Sequence, residues 1–335
     1  MSHLEHILQN KKFLEAKFNI LKYIRIFFDQ ENFLEIESPL IVKYPGQEPN
    51  LSPIELKVIN ERGQVFSGFL HTSPEYTMKK MLAAGFQKIF FLGKCFRNEE
   101  SFGGIHNPEF TMLEWYHTGV SLEKIMDDVE NLFNFVSEKI YEQKIISEKL
   151  IFNFERISMK DLWQEYVKVN LDNYLTRESL LKLCQEKKYN PAENENYETL
   201  FYRIFLNEIE PKLKNRKVII FNYPEIMASL SRATTTAFGY AERFEAYVNG
   251  VEICNAFGEL TDGQEQKKRL LRERAERQKQ GKIVFEIDEE FISALGQMPS
   301  SSGIALGVDR FVMALLSCQN INNVITLPAS ELFSE

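Results

Sequence analysis

Apolar positions along this chain change their period several times, and each change marks an element. Over residues 13–29, Phe18, Leu21, Ile24, Ile26 and Phe27 fall on or near one face at helical spacing, which predicts an amphipathic helix. Phe33-Leu34-Glu35-Ile36-Glu37 then alternates with period two, a strand stopped by Ser38-Pro39. Strand-like runs recur at 64–70, 88–96 and 110–116. A helix is expected between Pro74 and Ala84, with Pro74 suited to its first turn and Gly85 closing it. Residues 121–214 read mostly as helix, broken near Asn190-Pro191 and again over 193–198. Strands return at 218–222 and 243–257, followed by a charged helix over about 263–280 and a glycine-punctuated strand running into a helix over 303–316. Hairpin-linked strands with helices gathered in blocks predict an α+β fold, an antiparallel β-sheet flanked by helices, and not a regular βαβ alternation.

Composition narrows the picture. Of 335 residues 44% are hydrophobic, and 27 Phe with 13 Tyr supply the bulk of a large core. No apolar run approaches a membrane span, and the polar first twelve residues do not form a signal peptide. Cys95, Cys184, Cys254 and Cys318 lie far apart with no zinc or disulfide spacing, the usage expected of a reducing cytoplasm. A net charge of -8 excludes a chain-wide positive field for nucleic acid. Residues 267–282 carry eight Lys/Arg against two Glu, which reads as the solvated face of a helix.

Candidate chemistry concentrates in four segments. Phe96-Arg97-Asn98-Glu99-Glu100, a Gly103-Gly104 loop and the run from His106 to Tyr116 form a long hairpin. Alternation puts Phe110, Glu114 and Tyr116 on one face, with Thr111, Leu113 and Trp115 on the other. A glutamate on an apolar sheet surface calls for a cation, and Arg97 suits a phosphate or carboxylate. In the second segment, 243–255, Asn249-Gly250 is a two-residue turn signal. That turn sets Val248 opposite Val251, Tyr247 opposite Glu252 and Glu245 opposite Cys254, so Glu245 and Glu252 share a face as diagonal neighbours able to hold Mg2+. Strict alternation would turn Asn255, Phe257 and Glu259 to the other face. A single site therefore requires a β-bulge between Glu252 and Asn255. The third segment runs from Gly303 through Ala305 and Gly307 to Arg310, placing Arg310 near a helix N-terminus where an anion is stabilised. His71-Thr72-Ser73-Pro74-Glu75 is the fourth.

Together these segments resemble the catalytic core of class II aminoacyl-tRNA synthetases of the lysine type. Phe33 to Pro39, with the preceding helix, resembles the first family motif, which builds a homodimer interface; residues 96–116 resemble the second and 303–310 the third. The resemblance implies a single catalytic domain over residues 1–335 using ATP and Mg2+. It implies nucleotide contacts from Arg97, Asn98, Glu99, His106, Asn107, Phe110, Glu252, Ile253, Gly307 and Arg310. Arg97 and Arg310 would stabilise charge during adenylate formation, and Glu245 and Glu252 would carry the metal. Ser73, Pro74, Glu75, Glu114, Tyr116, Asn255, Phe257, Glu259 and Ala305 would surround the amino acid. The first motif begins within forty residues, leaving no room for an N-terminal OB-fold anticodon-binding domain. This resembles the stand-alone elongation factor P–(R)-β-lysine ligases, whose acceptor is a lysine of elongation factor P and not a tRNA. Ala305, where lysyl-tRNA synthetases have glycine, goes with (R)-β-lysine over lysine. The alternatives are a truncated synthetase acylating an RNA and a non-catalytic regulatory subunit. The loop 100–105 departs from the pattern by lacking an arginine before His106, and residues 231–236 read as a mobile loop without a role.

Overall fold

The computed structural model describes residues 2–334. Helix α1 (His3–Gln30) starts well before residue 13, with Ser2 and Glu5 closing a reciprocal capping box. Hydrophobic periodicity misses these first turns because several of their buried positions are polar. His6 meets the Ile325 carbonyl at 3.2 Å, Asn10 accepts from Asn323 at 2.7 Å, and Lys17 pairs with Asp309 and the Val324 carbonyl.

Strand β1 (Leu34–Glu35) is followed by β2 (Ile41–Val42), β3 (Ile54–Ile59) and β4 (Val65–Leu70), which make a small antiparallel sheet in the order β2-β4-β3. Next come α2 (Glu75–Ala83) and the hairpin β5 (Lys88–Phe96) and β6 (Glu109–Thr118). The middle region, expected as mostly helix, holds α3 (Leu122–Glu142), α4 (Met159–Tyr166), α5 (Arg177–Glu186) and α6 (Tyr197–Ile204), with one short strand, β7 (Glu155–Ser158). Beyond it lie β8 (Lys217–Pro224), β9 (Tyr240–Val248), β10 (Val251–Gly258), α7 (Gly263–Lys279), α8 (Glu289–Leu295), β11 (Ser301–Gly307), α9 (Val308–Leu316) and α10 (Ala329–Leu332).

Eight strands form the main sheet in the order β1-β5-β6-β11-β10-β9-β8-β7, antiparallel except for the outermost pairs β1–β5 and β7–β8. Alternation gives its two faces different tasks. Leu113, Trp115, Ile304, Leu306, Phe244 and Ala256 face one way and pack under α1, α3 and α9 in the largest core cluster. Residues of the opposite face are partly covered at one end by α2 and α8 and at the other by the cluster built on α4–α6. The open stretch between those covers is the cavity described below. Among the described residues no helix is long and apolar enough to cross a membrane.

Two sequence expectations need correction. Arg269 and Arg277 of the basic helix are not solvated. Arg277 is buried, donating to the carbonyls of Glu48, Leu51 and Ile283, while Arg269 donates to those of Ala228 and Ser231. A guanidinium has five N–H groups in a fixed fork, which suits it to gather several carbonyls from different loops. Nor is the segment 231–236 loose at its start. Arg232 pairs with Glu242, reaches Ser300 and the Ser301 carbonyl, and its backbone N–H donates to Gly258.

Candidate active site

The floor of the cavity is set by strand register. Asn249 and Gly250 both take positive φ (55° and 83°) in the β9–β10 turn, pairing Val248 with Val251 and Tyr247 with Glu252. The register then shifts between Glu252 and Cys254, so Cys254 lies opposite Ala246 and Asn255 opposite Glu245. The pairing of Glu245 with Cys254 that a regular hairpin predicts is thus replaced, and the required bulge is present. One transverse row now reads Glu114 (β6), Ala305 (β11), Asn255 (β10), Glu245 (β9); the next reads Tyr116, Gly303, Phe257, Arg243. Three strand spacings separate Glu114 from Glu245, about 14 Å.

Above this floor is a cavity of about 540 Å3, within the usual size range of small-molecule sites. At its acidic end, Ser73 accepts a hydrogen bond from the Glu75 N–H at 3.0 Å and donates to Glu114 Oε1 at 2.6 Å, tying the start of α2 to the floor. Burial, then the neighbouring Glu75 charge, pushes the Glu114 carboxyl up to about 8. Burial also raises Glu259, against the pull of Lys79. Lys79 lies 2.5 Å from Glu75 and 2.6 Å from Glu259.

The opposite end is rich in donors. The Arg97 guanidinium sits 5.0 Å over the Phe110 ring, and its buried Nε has no hydrogen-bond partner among the described residues. Arg310, in the first turn of α9, donates to the carbonyls of Ile105 at 3.2 Å and Glu252 at 3.0 Å. Burial and the Arg310 charge lower the His106 imidazole from its ordinary value, keeping it neutral near pH 7.

Glu252 and Glu245 differ sharply. Glu245 is almost wholly buried and compensated: Oε1 accepts from Arg243 at 2.6 Å, and Oε2 accepts from Tyr223 and Tyr247, each at 2.6 Å. The Glu252 side chain is 42% exposed, with Arg310 at 3.8 Å. Burial and the charge of Glu245 raise its carboxyl. Among the described residues no three His, Cys, Asp or Glu side chains converge as a closed cage. One or two carboxylates completed by substrate phosphates is instead the donor set that magnesium takes, so Glu252, with one lone pair of Glu245 behind it, fits that ion.

A family model described as tRNA synthetases class II (D, K and N) matches residues 4–331. The chain is 36% identical over 319 residues to the elongation factor P–(R)-β-lysine ligase of Haemophilus influenzae (strain PittGG), covering 94% of each. Against the corresponding ligase of Proteus mirabilis (strain HI4320) the identity is 35%, with 94% of each chain covered. An elongation factor P–(R)-β-lysine ligase homologue from Aquifex aeolicus (strain VF5) is 33% identical, covering 92% of this chain and 97% of that one. This chain belongs to the elongation factor P–(R)-β-lysine ligase family of class II synthetases. The chain is accordingly a ligase, and its α+β fold is that of a class II synthetase domain.

Of the residues that the resemblance to this ligase family assigns, fifteen share the cavity wall: Ser73, Glu75, Arg97, His106, Asn107, Phe110, Glu114, Glu245, Glu252, Ile253, Asn255, Phe257, Ala305, Gly307 and Arg310. Five do not. Pro74 precedes the first turn of α2; Tyr116 and Glu259 are buried outside the wall. Asn98 and Glu99 lie in the hairpin loop, where Glu99 takes a positive φ of 60° and accepts from the Ser52 hydroxyl. Glu99, expected as a reader of adenine, ties its loop to the segment before β3. Asn107 is engaged at both ends, donating to the Glu109 carbonyl and accepting from the Ala329 N–H.

Other wall residues escaped the sequence reading. Glu48, Glu198 and Glu273 line the cavity, and burial raises all three carboxyls, Glu273 to about 8. Nothing in a polar loop or a charged helix singles out such acids. Arg243 bridges Glu245 and Asn255 (3.1 Å from Nε to Oδ1); the only signal for it was its position two residues before Glu245 on the same strand face.

Proposed function

We propose that this chain activates lysine or (R)-β-lysine with ATP and transfers the activated acyl group to a lysine side chain of elongation factor P. The observation that carries the reading is one cavity with an unpartnered arginine at one end and the acids Glu75 and Glu114 at the other. Such polarity suits a substrate whose carboxylate must meet a phosphate while its ammonium groups need compensation. The names of the relatives point to the same amino acid and the same acceptor.

In the first step a carboxylate oxygen of the amino acid attacks the α-phosphorus of ATP, and the bond to pyrophosphate breaks. Arg97 holds the charge that develops between carboxylate and phosphate, because its Nε is free and sheltered from water. Arg310 has its Nε and Nη1 engaged by backbone carbonyls, which leaves Nη2 for the distal phosphates. Phe110 supplies the apolar ring surface on which Arg97 rests, and Glu252 with Glu245 would hold Mg2+, which would further neutralise phosphate charge. In the second step the acceptor amine attacks the carbonyl carbon of the acyl-adenylate, and AMP leaves. Positioning of the two partners carries that step.

Retention of a free Arg97 beside Glu252 and Arg310 disfavours a non-catalytic subunit. ATP–pyrophosphate exchange that depends on lysine or β-lysine tests activation, and its absence removes the reading. Labelled amino acid offered to elongation factor P beside bulk tRNA tests the acceptor; label on tRNA alone assigns the RNA-acylating alternative. We also read α1 as a homodimer face, since Leu4, Leu8 and Phe18 are exposed along one stripe of it. A sedimentation coefficient of a 39.2 kDa monomer at micromolar concentration would refute that face.

A further inference from the structure

We propose that Lys79 is a positioning residue of the amino-acid subsite. Its buried ammonium pins Glu75 and Glu259 and cancels one of their charges, so that the subsite presents the balance a diamino acid requires. This inference rests on the lysine-type reading of the cavity.

Lys79 lies one turn after Glu75 on α2, and its side chain is wholly buried, 0% exposed. Lysine is almost never found so deep without partners. Its partners are the two acids that α2 and the segment after β10 bring to it, Glu75 Oε1 at 2.5 Å and Glu259 Oε2 at 2.6 Å. Both Glu259 oxygens are buried with no other hydrogen-bond partner among the described residues, so the Lys79 ion pair is their closest compensation, with the Arg232 charge farther off. Glu259 is also penned from the far side. A methyl group on Gly303 would come within 2.5 Å of Glu259 Oε1 and 2.3 Å of the Tyr116 ring, so that carboxylate fills the space a side chain on β11 would need.

The other charged and titratable groups facing this cluster are Glu114 and Tyr116 from β6, Arg232 from the loop before β9, and Glu48 beside Glu75. Glu75, Glu114 and Glu259 carry three negative charges when ionised, and Lys79 cancels one. The two that remain match the two ammonium groups of lysine or β-lysine, whose carboxylate is turned toward Arg97. Without Lys79 the acids would stand desolvated beside one another, and protons would take the place of the missing cation.

ATP–pyrophosphate exchange as a function of pH tests this on the full chain. For Lys79→Met the KM for lysine or β-lysine rises at least tenfold at pH 7 while the KM for ATP stays within about twofold. The acid limb of kcat/KM for the amino acid moves up by about one pH unit or more, and Lys79→Arg returns it to the position of the unaltered chain. A loss equal at every pH and shared by both substrates overturns the proposal and leaves Lys79 a structural prop. Should Lys79→Met fail to fold, the Lys79→Met/Glu259→Gln pair carries the same test on Glu75. Its acid limb lies above that of Glu259→Gln alone, and coincidence of the two limbs overturns the proposal. No exchange by the unaltered chain removes the lysine-type reading and this inference together, whereas normal exchange with a uniform Lys79→Met loss removes the inference only.

Discussion

The two ends of the cavity are unlike in how their charges are satisfied. At the donor end the working groups are left open: Arg97 keeps an unpartnered Nε, and Glu252 has only Arg310 at 3.8 Å. At the acidic end the groups are closed on one another through Ser73 and Lys79, and burial, then the Glu75 charge, raises the Glu114 carboxyl to about 8. Phosphates arrive with charge and acceptors of their own, so they satisfy the donors that this end leaves unpaired. An ammonium entering a dry pocket has no such escort, and its acids must already be arranged.

Arg97→Ala breaks the donor end most severely. Loss of a preorganised charge aimed at the transition state should lower kcat/KM for exchange about a thousandfold, near 4 kcal/mol. Arg97→Lys should recover little of it, since a point charge cannot make two parallel contacts. Arg277→Met, which leaves the carbonyls of Glu48, Leu51 and Ile283 without donors, should cost about 3 kcal/mol in denaturant unfolding. An unchanged unfolding midpoint would show that those loops hold without it.

Ala305→Gly probes the floor between Glu114 and Asn255. Removing its methyl should shift the ratio of kcat/KM between β-lysine and lysine toward lysine by about tenfold. A subtler effect comes from Glu114. In the empty site its carboxyl holds a proton below about pH 8; an arriving ammonium lowers it and expels that proton. Amino-acid affinity should therefore rise with pH up to about 8 and level off above. Calorimetry at pH 7 in two buffers of different ionisation enthalpy should register release of up to one proton, and equal heats in the two buffers would contradict the assignment.

Much of this arrangement was legible in the sequence where a requirement of chemistry met a rule of geometry. The bulge is the clearest instance. Alternation alone puts Glu252 and Asn255 on opposite faces, and only the demand that both serve one site inserts the extra residue. Lys79 was not legible, because a lysine one turn after a glutamate reads as a solvated helix pair, and burial comes from a strand far away in sequence. The basic helix misled for the same reason: Arg277 finds its partners in the loop before β3. The early turns of α1 were hidden because His6, Asn10 and Lys17 are buried through specific polar contacts, which leave no apolar period.

The single surplus residue in β10 makes the site depend on an irregular pairing of β9 with β10. Closing the bulge at full length, with Ile253 drawn into the ladder opposite Ala246, would turn Asn255 and Phe257 into the packed layer beneath the sheet and bring Cys254 and Ala256 up in their stead. A strand transplanted from a relative must therefore arrive with its irregularity intact. Pairing register, here, is as much a part of the recognition code as the side chains themselves.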